Sequence, residues 1–202
     1  NYVKQLQTAI AKREINFEEL NIDVQDAAMV KTIEDTLSSD DEIKQLFALE
    51  IVEGLPLYSW KNTIQKLFDN GSEDVRMRIL DMAWDETDII SDENIISAIN
   101  KKDMVSPEAI ITAGKRRLTN IYADLESFLD EKNQEIVAAS AASIIMIESG
   151  PLEKAKKILS EMLSSNEESI KATALKKLSD NDSILTNKKL IKFLKSNSGL
   201  IS

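Results

Sequence analysis

The sequence predicts an all-α chain of two-helix units stacked on one another, and three observations carry that prediction. First, one pattern occurs twice. Leu125-Glu-Ser-Phe-Leu129, a polar turn and Gln134-Glu-Ile136-Val-Ala-Ala-Ser-Ala-Ala-Ser-Ile144 are answered by Leu159-Ser-Glu-Met-Leu163, a polar turn and Glu168-Ser-Ile170-Lys-Ala-Thr-Ala174-Leu-Lys-Lys-Leu178. Each copy is an apolar helical stripe, a turn and a second stripe rich in small residues, a unit that needs neighbours to bury its apolar face. Second, the first aliphatic after each turn recurs as Ile43, Val75, Ile110, Ile136 and Ile170, at separations of 32, 35, 26 and 34 residues, and all five are expected to be buried. Four positions on stand Phe47, Ile79, Gly114, Ser140 and Ala174; the small side chains among them let helices cross closely. Third, no segment alternates in the manner of a half-buried strand.

The elements follow in order. Val3, Leu6, Ala9 and Ile10 recur at helical spacing and open the chain with a helix. Ile15 to Leu20 reads as a turn packing Phe17 and Leu20 beneath it. Asp23 is the expected cap of a helix striped by Ala27, Val30, Ile33 and Leu37. Ser39-Asp-Asp-Glu42 reads as a capping box opening a helix with Ile43, Leu46, Phe47 and Val52, ended near Gly54 and Pro56. Tyr58 to Phe68 forms the next first helix, with Trp60, Ile64, Leu67 and Phe68 on one side. Ser72 caps a helix bearing Val75, Ile79, Leu80 and Ala83, and the acidic run Asp85 to Glu93 is a connector. Ile95, Ile96 and Ile99 begin a third unit. Its second helix starts at Ser106-Pro107-Glu108, with Pro at the first helical position, and continues through Ile110, Ala113 and Leu118. The repeated pair follows, joined by Gly150-Pro151. Leu185, Leu190, Ile191 and Leu194 form a last stripe before a tail at Ser196 to Gly199.

Composition removes whole classes of chemistry. At 202 residues with 43% hydrophobic side chains, the chain has the makings of a folded protein. No apolar run approaches the roughly 18–20 residues of a spanning helix. Cys and His are both absent, so Ser-His-Asp and Cys-His constellations are impossible and the usual zinc ligands are missing. The five glycines are scattered, with no phosphate-cradling loop. A net charge of −10 opposes nucleic acid as the main partner. No cofactor is expected. A chain that opens on Asn1 with Tyr2-Val-Lys-Gln-Leu6 already helical reads as an excised domain or as a processed or incomplete chain.

The pattern of helix, turn with Asp, Asn or Ser, then a branched aliphatic followed by a basic residue resembles the HEAT repeat. Ile43-Lys44, Val75-Arg76 and Ile170-Lys171 carry that dipeptide, whereas Ile110-Ile111 and Ile136-Val137 depart from it. The resemblance covers about residues 24–180, with units shorter than the ~40 residues common in HEAT proteins. It implies a right-handed α-α superhelix, a solenoid of about five helix pairs with flanking helices. Residues 1–196 are then a single domain, with an N-terminal helix and turn over 1–22, repeats over 24–180 and a capping helix over 183–196; residues 197–202 are a tail or linker. Tyr2-Val-Lys-Gln-Leu6, Ala11-Lys-Arg13, Leu20-Asn-Ile-Asp23 and the Leu55-Pro…Trp60 element also look like the soluble HEAT segment of bacterial membrane proteins similar to ATP/ADP translocases. That likeness implies a cytoplasmic position, at the inner face of the membrane as part of a larger protein.

Candidate binding residues are each weighed against a plainer role. Trp60 and Trp84 are anchor-type side chains, but a large aromatic more often fills the space between helices. Arg76, Arg78, Lys115, Arg116 and Lys44 lie on second helices, which face the concave side in HEAT-like solenoids. A basic groove for an acidic peptide or headgroup is one reading; a solvated face is the other, because Lys115-Arg116-Arg117 spans most of a helix circumference. The carboxylates Asp81, Asp85, Glu86, Asp88, Asp92 and Glu93 lack calcium-loop spacing and read as caps and solvated connector. Lys188, Lys189, Lys192 and Lys195 make the last stripe amphipathic, suited to capping the stack or lying on a membrane. The expected function is a non-catalytic scaffold that binds a protein or an adjacent domain of the same polypeptide, attached to a translocase-like transporter. The alternatives are a free-standing adaptor and a HEAT-like DNA glycosylase built on Trp84 and Asp85.

Overall fold

The computed structural model describes residues 2–12 and 22–179 of the chain. Among them are eleven α-helices, two 3-10 turns and no strand, so the chain is all-α. The expected turn at Ile15 to Leu20, the stripe at Leu185 to Leu194 and the tail at Ser196 to Gly199 lie outside the described residues. Two compact units divide the chain at Ser91 and Asp92.

The first unit holds α1 (Tyr2–Lys12), α2 (Ala27–Leu37), α3 (Glu42–Val52), α4 (Lys61–Asn70) and α5 (Glu73–Met82). Two of its caps differ from the sequence reading. Asp23 spends its carboxylate on the amide of Gln25 at 2.9 Å, inside a turn. Asp26 caps α2 instead, accepting from Ala28 and Met29. At α3 the cap is Asp41 rather than Ser39: its carboxylate accepts from the amides of Ile43 at 3.0 Å and Lys44 at 3.3 Å. Ser72 caps α5 through the amide of Val75, as its position predicts. Trp60 ends a 3-10 turn, Leu57–Trp60, and donates its indole N–H to the carbonyl of Val30 at 3.1 Å, tying that turn to α2. α2 packs on α3 and α4 on α5; across the pairs, α3 meets α5 and α2 meets α4. After α5, Asp85, Glu86 and Asp88 are exposed as expected of a connector, but Ile89 and Ile90 within that run are buried.

The second unit holds α6 (Asp92–Asn100), α7 (Ser106–Lys115), α8 (Tyr122–Phe128), α9 (Gln134–Ile147), α10 (Leu152–Leu163) and α11 (Glu168–Ser179). Pro107 sits at the second helical position of α7, and Ser106 turns its hydroxyl to the carbonyl of Ala98 on α6 at 2.9 Å. The stripe ending in Leu118 overshoots, for α7 stops at Lys115. Arg117 adopts φ 56°, and the amides of Leu118 and Arg117 bond back to the carbonyls of Ala113 and Gly114, a Schellman closure with a non-glycine left-handed residue. α9 is the hub: it packs on α7, α8, α10 and α11, and every residue from Ile136 to Ile144 is buried. A helix apolar on all sides can exist only with such neighbours. Gly114 marks a close crossing. A Cβ placed there would lie 2.6 Å from the Ser143 hydroxyl and 3.0 Å from the Ser143 Cα, so α7 and α9 approach almost backbone to backbone.

Candidate interaction surface

The expected binding residues are divided between the units, with Trp60, Arg76 and Arg78 in the first and Lys115 and Arg116 in the second. Trp60 is 1% exposed and takes the interior role. Arg76 is buried too: its Nε donates to the carbonyl of Phe68 at 3.1 Å and its guanidinium lies over the Phe68 ring. It thereby satisfies one of the carbonyls that the last turn of α4 leaves without an intrahelical partner. Arg78 reaches Glu53 at 2.5 Å and Asp81 at 3.4 Å. Arg116 lies against Asp92 at the start of α6, at 3.0 Å, while Lys115 is half-buried and Arg117 points to solvent. Trp84 is half-buried and Asp85 exposed. Lys44 is exposed beside Asp41. Four of the expected binding residues therefore make specific contacts inside their own unit: Trp60, Arg76, Arg78 and Arg116.

An ionic cluster, buried at Lys177 and Glu108 and partly open at Glu135, joins α7, α9 and α11. Lys177, whose side chain is 3% exposed, lies 3.2 Å from the Glu108 carboxylate and 3.9 Å from that of Glu135; Glu135 also accepts from the Thr173 hydroxyl. Sequence reasoning gave Lys177 no role beyond its place in the repeated pattern. The missed signal is position, since Lys177 shares the helix face of Ile170, Ala174 and Leu178. Nearby, Ser143 donates to the carbonyl of Ile110 at 2.9 Å, whereas the buried Ser140 hydroxyl has no partner. At the periphery, a hydrogen bond from Lys102, reinforced by its charge, holds the half-buried Glu131 carboxyl below the usual carboxylate range.

The first unit carries an open depression of about 440 Å³ lined by Ile43, Leu46, Phe47 and Glu50 of α3 and Arg78 of α5. These α3 positions are spaced i, i+3, i+4 and i+7, one face of the helix. Ile43, expected to be buried, is 53% exposed. The correction has a local cause: the buried residues of α3 begin only at Phe47. Val75, Ile110 and Ile136, at the matching positions of α5, α7 and α9, are all buried, and Ile170 of α11 is half-buried. A second depression, of about 510 Å³, is lined by residues of α1, α2 and the start of α3, Gln7, Thr32, Asp35 and Lys44 among them. Its carboxylate is paired, because Asp35 accepts from Lys31 and raises that ammonium's pKa. Among the described residues no group of three acidic side chains converges to hold a metal ion, and no helix is long and apolar enough to cross a membrane. Comparison with known protein families, curated proteins and solved structures finds no match to this chain.

Proposed function

We propose that the chain is a non-catalytic scaffold of HEAT-like helix pairs that holds another protein or an adjoining domain. The observation that carries the reading is the packing rule within each unit, where second helices lie on second helices: α3 on α5, and α7 on α9 on α11. Stacking of that kind is how repeat units share one core and build an extended face; in the second unit α7 and α9 are buried along most of their length, so the face left open for a partner is that of α3 in the first unit. The lack of Cys and His in the whole chain removes thiol and imidazole chemistry. Attachment to a translocase-like transporter is the narrower form of the proposal, resting on the opening sequence motif; membrane helices encoded next to this segment would support it, and a gene without them would end it.

A photo-crosslinking amino acid tests the scaffold directly in the native host. Placed at Glu50, Asp81 or Lys176 on second helices, it is expected to capture a discrete protein from at least one position. Placed at Lys66, Glu126 or Glu161 on first helices, it is expected to capture none. Silence at every position, or equal capture from both layers, overturns the scaffold.

A further inference from the structure

We infer that the depression between α3 and α5 is a docking groove for an amphipathic helix whose apolar face is flanked by Lys or Arg, a reading that rests on the scaffold proposal and names its partner's chemistry. Three observations converge on that occupant. The first is register. Ile43 stands where Val75, Ile110 and Ile136 are covered by packing, yet it is the large aliphatic of this set that lies open, with half-buried Leu46 beside it and Phe47 at the floor. An apolar row at i, i+3 and i+4 that is open at Ile43, half-open at Leu46 and floored by Phe47 is the complement of another helix's apolar stripe.

The second observation is what the groove does not offer. Its lining consists of side chains from two helices, whose backbone groups are bonded within those helices over most of their length. An extended peptide would find no strand edge to pair with, so its own amides and carbonyls would go unsatisfied on burial. A helix satisfies them internally. Third is charge. Glu50 is exposed on the rim, and Arg78 is neutralised by Glu53 and Asp81; three carboxylates stand there against one guanidinium, on a chain of net charge −10. Lys44, next to Ile43, lies beside Asp41 and lines the other depression. A basic partner is attracted; an acidic one, including a second copy of this chain, is repelled.

The test pans the full chain against a random library of roughly 16-residue peptides on phage. Expected are helix-forming sequences with apolar residues at i, i+3, i+4 and i+7 and a net positive charge, bound more weakly as salt rises. Ile43→Asp is expected to weaken the selected peptides about tenfold or more while leaving the melting curve in place, because Ile43 is exposed and an acidic residue suits the first turn of α3. Glu50→Lys is expected to shift the selection away from basic peptides. Enrichment of acidic or extended sequences, binding indifferent to Ile43→Asp, or no enrichment at all overturns the groove. Capture by the crosslinker at Asp81 or Lys176 would in those cases leave the scaffold standing, so the two failures are distinguishable. Concentration-dependent dimerisation abolished by Ile43→Asp would replace the basic helix with a second copy and likewise overturn the assignment.

Discussion

α3 and α9 are both second helices of their pairs, yet one is open along a face and the other is enclosed on every side. α9 has four helical neighbours, α7, α8, α10 and α11, whereas α3 packs on α1, α2 and α5. Their charged partners differ in the same sense. In the first unit Arg78 meets Glu53 and Asp81 where all three side chains keep contact with water. In the second, Lys177 and Glu108 are withdrawn from it. Similar chemistry thus carries different consequences: an exposed ion pair is nearly neutral for stability, while a buried one becomes costly when half of it is removed. Arg78 spends its charge at a surface; Lys177 uses its charge to lock α11 onto α7.

That contrast can be broken in order of size. Lys177→Met leaves Glu108 without its buried counter-charge and is expected to cost about 3–5 kcal/mol in denaturant unfolding. Replacing the partner as well, with Lys177→Met and Glu108→Leu together, should restore most of that loss. If the single variant melts like the parent, the interior pair is not structural. Gly114→Ala sets a Cβ against the Ser143 backbone; overpacking of about 1–3 kcal/mol should exceed the helix-propensity gain of up to ~1 kcal/mol. A rise in Tm for this variant would show that α7 and α9 separate freely. Ser140→Ala removes a buried hydroxyl that lacks a partner and should stabilise by about 1 kcal/mol. Arg117→Gly relieves a left-handed backbone at the end of α7 and should add about 0.5–1 kcal/mol, read in the same urea titrations. Arg78→Ala closes the series in the first unit, with an expected loss under about 1 kcal/mol, since both its partners are exposed. A loss as large as that of Lys177→Met would erase the distinction between the units.

Much of the architecture was legible in residue order. The polar turns before α5, α9 and α11 stand where the side-chain pattern changes phase, and Ser72 and Asn133 cap as short polar residues at such junctions do. The caps at Asp26 and Asp41 were misplaced by two or three positions, because several adjacent Asp and Ser side chains can all accept from a free amide and backbone geometry selects among them. For the candidate surface, residue type misled more than spacing. Arg76 and Arg116 read as available cations, yet one closes the end of α4 and the other braces the start of α6. Ile43 read as core and proved open, while Lys177, to which the pattern assigned no role, proved enclosed.

What the sequence by itself determined is the helical class, the places where helices begin and end to within a few residues, and the lack of thiol and imidazole chemistry. These follow from local periodicity and from composition, which no neighbour can alter. Only the tertiary structure decided which stripe finds a partner. Burial of Lys177 beside Glu108, the close approach at Gly114 and the uncovered row on α3 each depend on residues 29 or more positions away, or on having no such neighbour. Helical spacing says which side chains share a face, but what that face meets is set by how the helices pack.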